Sequence, residues 1–184
     1  MNPIKIIWAA RALMYKLILK KIGLMSYIGR PCFIEGRKRI SIGKKTRIFP
    51  GVRLEAIGKG EINIEDNCAI EQNVHIISKD KLLTIGKNTT ISANAFISNV
   101  DHDYYDIDKS VMDQKLIVRE TIIEEGCFIG FGSSILPGSH LGKHCIVGSN
   151  SVVKGCYPRN TVIAGNPAII IKKYDDITNE WRSV

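Results

Sequence analysis

The sequence predicts an all-β fold, a parallel solenoid built from six-residue steps, and three observations carry that reading. Aliphatic residues recur at every sixth position. A small or β-branched residue stands four positions after most of them. The phase breaks at few places, and only one break is long. The aliphatic series runs Ile42, Ile48, Leu54, then Ile64, Ile70, Ile76, then Ile85, Ile91, Ile97, and finally Ile123, Ile129, Ile135, Leu141, Val147 and Val153. A helix would need a period of 3.6, and six is not a multiple of it. The companion positions hold Thr46, Val52, Cys68, Val74, Thr89, Ala95, Cys127, Ser133, Ser139, Cys145 and Ser151. Each hexad therefore supplies a short strand and a corner. The aliphatic points into a narrow core and the small residue fits where the corner is tight. Stacked coils bury a continuous aliphatic column.

The elements follow in chain order. The 184 residues suffice for one domain with a short appendage. With 45% hydrophobic and 24% charged residues, the chain is neither disordered nor a polytopic membrane protein. The net charge of +8 is unevenly spread: 13 basic residues against the single acid Glu35 up to Arg53, then 13 basic against 17 acidic residues. A nucleic-acid-binding domain carries its charge on the folded body, so this asymmetry argues against that class. Residues 1–27 read as a basic amphipathic helical segment, with Ile4, Ile7, Trp8, Leu17 and Ile18 at roughly helical spacing among Lys5, Arg11, Lys16, Lys20 and Lys21. Arg11 and Lys16 interrupt it, so it falls short of a spanning helix. Residues 1–22 are expected either to lie on an anionic membrane surface, with Trp8 at the interface, or to pack on their own domain or on a partner subunit. No secretion signal is legible, so the five cysteines are read as free thiols in a reducing compartment.

The solenoid is expected over residues 28–168. Ile28 with Cys32 reads as an imperfect first hexad, so Cys32, Cys68, Cys127 and Cys145 all fall in the small inward slot as packing residues. Ten residues separate Leu54 from Ile64 and nine separate Ile76 from Ile85, which predicts small bulges at corners. The long break, residues 100–119, carries Asp101, His102, Asp103, Tyr104, Tyr105, Asp106 and Asp108. A loop of about 20 residues in a compact repeat is more often functional than decorative. Residues 169–184 read as a polar C-terminal tail.

The hexads, the long loop with its histidine and the ending Ala164-Gly165-Asn166-Pro167-Ala168 together resemble the hexapeptide-repeat acyltransferases, closest to the maltose, galactoside and bacterial polysaccharide O-acetyltransferases. The resemblance covers about residues 40–173. It implies a left-handed parallel β-helix, an exception to the usual right-handed crossover, and a homotrimer with active sites between neighbouring subunits. It implies acetyl-CoA as co-substrate, no required metal, and a sugar or glycan acceptor, with O-antigen, capsule or exopolysaccharide assembly in the bacterial cytoplasm as the setting.

Acetyl transfer to a hydroxyl needs a base, an oxyanion donor and an aligned thioester. His102 matches the family's catalytic histidine, and Asp101 or Asp103 is placed to orient it. The family's oxyanion amide falls in the stretch holding Gly130 and Phe131. Glu71, Asn73 and His75 fall near its acceptor-binding position. Gly148, Ser149, Lys154, Lys172 and Lys173 are the CoA candidates; Ile169 stands where many members carry a basic residue. Three other readings remain. One is N-acetylation of an amino sugar. Another is a metal-dependent hydratase like the γ-class carbonic anhydrases, which needs three converging histidines. The third is a non-enzymatic scaffold.

Overall fold

A computed structural model of the chain describes residues 3–184. Its body is the three-faced parallel solenoid that the hexads predict: six full coils and part of a seventh. The first face stacks Lys21–Ile22, Ile40–Ile42, Glu61–Ile64, Leu82–Ile85, Ile122–Ile123, His140–Leu141 and Cys156–Tyr157. The second stacks Tyr27–Ile28, Arg47–Ile48, Ala69–Ile70, Thr90–Ile91, Phe128–Ile129, Ile146–Val147 and Thr161–Gly165. The third stacks Phe33–Glu35, Arg53–Ile57, His75–Lys79, Phe96–Ser98, Ser134–Ile135 and Val152–Val153.

Register follows the hexads. Ile22, Ile42, Ile64, Ile85, Ile123 and Leu141 align along the first face. Every aliphatic of the predicted series is buried, and so is every small companion from Thr46 to Ser151. Such columns bury each side chain between two like neighbours, which is why a short hexad suffices where an isolated two-residue strand would not. The corners turn through left-handed backbone at Lys45, Asn67, Asn88, His144 and Asn160 between the first and second faces, a conformation that Asn adopts more readily than most residues.

Four expectations need correction. The helix spans Pro3–Tyr15 and stops well short of residue 27. Ile22, Ile28 and Ile34 are themselves six apart and pair with Ile42, Ile48 and Leu54, so a full coil precedes the one the hexads mark first. Cys32 is exposed. It sits on that first coil, which has a stacked neighbour on one side only, so its corner is not covered. Lastly, the polar end is no loose tail: Ala168–Asp175 and Glu180–Ser183 add two antiparallel strands to the second face. The expected bulges appear as lengthened strands on either side of the corner between third and first faces, with Ala56, Ser78, Ile62 and Leu83 as extra buried residues.

The N-terminal helix lies against the first coil. Trp8 packs on Tyr27 (5.7 Å between ring centroids) and edge-on to Phe49 (5.5 Å), and Arg11 donates to the carbonyl of Ile28 (3.1 Å). Among the described residues no helix is long and apolar enough to cross a membrane. Met1 and Asn2, part of the segment expected to meet a membrane, lie outside the described residues.

Candidate active site

The long loop leaves the solenoid at the corner between third and first faces, the same corner that is enlarged in the coils before it. It begins as a two-stranded antiparallel arm, Val100–His102 paired with Leu116–Val118, in which His102 stands opposite Leu116. The arm is bolted down by Asn99, which is fully buried. The Asn99 side chain accepts from the Lys79 amide (2.8 Å) and donates to the Ser78 hydroxyl (3.2 Å) and the Lys79 carbonyl (3.3 Å). Its backbone carbonyl accepts from Arg119 (2.8 Å), closing the base of the loop.

His102 is exposed on this arm. The Asp101 carboxylate accepts from the His102 backbone amide (2.9 Å), and Asp103 accepts from the Tyr105 amide (3.1 Å). Both carboxylates therefore shape the chain around the histidine, and neither is bonded to its ring. The loop tip is tied by Gln114, which bridges the amide and carbonyl of Asp106, and by an Asp106–Lys109 ion pair of 2.6 Å. Tyr104, Tyr105, Ile107 and Met112 all project into solvent.

The remaining candidates divide between locations. Glu71, Asn73, His75, Phe131, Gly148 and Ser149 line the corner between second and third faces, at the opposite edge of the third face from the loop. Glu71 accepts from the Ala93 amide of the next coil (3.1 Å). Asn73 sits in left-handed backbone with φ 58°. Both thus act as corner struts in the single chain. Gly130 donates its amide to Val147 (2.9 Å) and Gly132 donates to Ala93 (3.0 Å). Of these three neighbours, only the Phe131 amide has no backbone acceptor among the described residues. Gly130 is explained by packing instead: a Cβ there would come within 2.6 Å of the Ser149 amide and the Val147 carbonyl. The space it leaves is used by the next coil, whose Val147 carbonyl also takes up the Gly130 amide within the single chain.

His75 has partners that sequence reasoning missed. Its Nε2 lies 2.5 Å from Oε1 of Glu55, which also accepts from Arg53 Nε (2.6 Å). Phe96 packs edge-on to the imidazole at 5.4 Å, and the Arg53 guanidinium covers Phe33 at 4.9 Å. Hydrogen bonding to Arg53, and secondarily to His75, holds the Glu55 carboxyl below its ordinary range against the opposing effect of burial. The signal was present in the alignment of coils: Arg53 and Phe96 occupy the same register position as His75, one coil to either side, and Glu55 stands beside them.

Lys154 is exposed at the end of the sixth coil, whereas Lys172 and Lys173 lie on the antiparallel strand opposite Val162 and Thr161. The other two histidines do not join His75. His140 pairs with Glu124 (2.7 Å) on the first face, and His144 turns a corner with φ 56°. One groove of the single chain, of about 270 Å³, is lined by Lys21, Asn63, Glu65 and Lys87, and one of about 290 Å³ lies within the loop, where Asp103 and Asp106 line it.

A three-faced hexapeptide solenoid with a histidine-bearing loop defines a class, and comparison with known proteins confirms it. Residues 120–155 match the family model for bacterial transferase hexapeptide (six repeats). Over 158 residues the chain is 35% identical to the putative lipopolysaccharide biosynthesis O-acetyl transferase WbbJ of Escherichia coli, covering 82% of this chain and 80% of that one. It is 27% identical over 134 residues to the putative colanic acid biosynthesis acetyltransferase WcaF of the same organism, covering 72% and 68%. Among solved structures, AntD, an N-acyltransferase from Bacillus cereus in complex with dTDP and 3-hydroxybutyryl-CoA, superposes with a TM-score of 0.79 at 17% identity over 91% of this chain and 90% of that one. The chain belongs to the hexapeptide-repeat acyltransferases and is an acyltransferase.

Proposed function

We propose that this protein is an acetyl-CoA-dependent O-acetyltransferase that modifies a sugar hydroxyl during assembly of a bacterial surface polysaccharide, in the cytoplasm at the inner face of the membrane. The observation that carries the reading is His102, solvent-facing on an arm anchored through a fully buried asparagine. A neutral imidazole takes the acceptor hydroxyl proton as the oxygen attacks the thioester carbonyl. The Phe131 amide donates to the oxyanion of the tetrahedral intermediate. Collapse breaks the carbon–sulfur bond, and the imidazolium returns its proton to the departing CoA thiolate. No group is consumed beyond acetyl-CoA and acceptor.

Because His102 and Phe131 occupy opposite edges of one chain's third face, the site is completed in a homotrimer, where the loop of one subunit meets the corner of the next. The exposed Tyr104, Tyr105, Ile107 and Met112 support this, since side chains of this size ordinarily find cover. His75, held by Glu55, faces the acceptor beside Glu71 and Asn73. CoA runs past Gly148 and Ser149, with Lys154, Lys172 and Lys173 for its phosphates. A hydroxyl rather than an amine is favoured because the relative at 35% identity is named as an O-acetyl transferase; the likeness to AntD at 17% identity bears on fold alone.

The test is thiol release from acetyl-CoA with a panel of sugars, nucleotide sugars and glycolipid fragments, wild type beside His102→Ala. Acceptor-dependent release that the substitution abolishes is the expected result. Release that survives it moves the base elsewhere, with His75 next. No release from any acceptor, together with no acetyl-CoA binding by calorimetry, would favour the scaffold.

A further inference from the structure

A helix docked on its own domain ordinarily turns its apolar stripe inward and its charges outward. The N-terminal helix does not. Its inward side is Trp8, Ala12 and Tyr15, with Ala12 3% exposed. Its outward side is apolar as well: Ile6, Ile7, Leu13 and Met14 are 50–64% exposed, and Leu17, just beyond the helix, is 81% exposed. The cations stand at the margins rather than on this face. Lys5 lies over the Tyr27 ring (5.8 Å) and Arg11 is turned inward to Ile28. Lys16, Lys21 and Arg37 are exposed around the same end of the solenoid. No acid precedes Glu35 in the chain.

From this we infer that the outer face of the N-terminal helix docks on an anionic lipid bilayer. The helix would lie in the interfacial plane, its apolar side chains entering the acyl boundary and the exposed Lys16, Lys21 and Arg37 meeting acidic headgroups. A soluble partner of ordinary surface would match the apolar face but not the surrounding excess of positive charge. The inference is independent of the acyltransferase chemistry and concerns where that chemistry is carried out.

The experiment is vesicle flotation of the full chain, using phosphatidylcholine vesicles with and without phosphatidylglycerol, at low and raised salt. The variant is Leu13→Glu/Leu17→Glu. Both side chains face solvent, so the fold is expected to survive, with circular dichroism as the check. Deletion through Ile22 is a poorer choice because it would strip Leu19 and Ile22, which are buried. Wild type should float with the anionic vesicles, remain below with phosphatidylcholine alone, and weaken in raised salt; the variant should remain below throughout. Wild type failing to float with anionic vesicles at low salt, or the variant floating equally well, overturns the inference. So does a failure to float accompanied by a larger mass for wild type than for the variant in light scattering, which would assign the face to a second copy. Thiol release with a soluble acceptor should be the same in both proteins, so failure here leaves the acyltransferase reading standing.

Discussion

His102 and His75 are held in opposite ways, and the difference predicts how each substitution behaves. The His102 ring carries no bond to any other described residue and is exposed, so His102→Ala should leave the melting temperature near wild type. As a general base it should contribute about 10²–10⁴-fold, which steady-state thiol release will read directly. His75 is tied to Glu55, which is 7% exposed. Glu55→Gln removes a charged acceptor with two donors and should destabilise the fold by about 1–3 kcal/mol at pH 7. The sign with pH is fixed by the lowered carboxyl: its contribution is complete above the unfolded value of about 4.3 and is lost as pH falls through the folded one. Urea melts should therefore show the gap between wild type and Glu55→Gln narrowing once pH is taken below about 4. Cysteines give an independent check. Burial pushes the Cys68 thiol up to about 11 and that of Cys127 to about 12, and raises Cys145 as well. Only Cys32 and Cys156 should react with a thiol reagent in the native protein, and the other three only after unfolding.

In the proposed mechanism the loop is the element on which the chemistry depends, and Asn99 anchors its base. Asn99→Ala leaves the Lys79 amide without its acceptor and opens a gap in the enlarged corner. A buried group left unsatisfied costs about 1–3 kcal/mol, so the substitution should lower stability by that order. It should also accelerate hydrogen exchange in Val100–His102 and Leu116–Val118, and lower turnover although Asn99 touches no reactant. A chain in which only stability fell, with turnover intact, would separate the arm from the active site. The hexads place this loop correctly, but they say nothing of the antiparallel arm, because its ladder joins two non-hexad segments of the loop and its anchor Asn99 bonds to Ser78 and Lys79 one coil away.

For the whole molecule, the separation of His102 from the opposite corner predicts complementation between subunits. When His102→Ala and His75→Ala chains are mixed by refolding or coexpression, one loop–corner pairing in four unites two intact halves. Recovery of roughly a quarter of wild-type activity is expected from inactive parents in a symmetric oligomer. Sedimentation should show a trimer. Recovery near zero from a trimeric mixture would mean that both histidines serve a site built within one chain.

What the sequence determined by itself was the solenoid. A period of six specifies the inward aliphatic at each step, and stacking is then dictated by burial, so coils and the position of the loop were all legible. The same rule extended further than the marked hexads: Ile22, Ile28 and Ile34 hold the phase and form the first coil. Cys32 shows the limit of the pattern: it occupies the companion slot of the first coil, yet a coil stacks on that corner from one side only and it stays exposed. The candidate site was legible in kind but not in arrangement. The six-residue period steps from one face to the next, whereas the partners that stack in a parallel solenoid lie a whole coil apart, as Ile22, Ile42 and Ile64 do. Only the tertiary structure decided that Glu55 and Arg53 hold His75, that the amide of Gly130 is taken up by Val147 while that of Phe131 is not, and that the apolar side of the N-terminal helix faces outward. Each depends on which neighbour a backbone or side chain meets across coils, and that is set by the pitch and register of the stack rather than by the repeat.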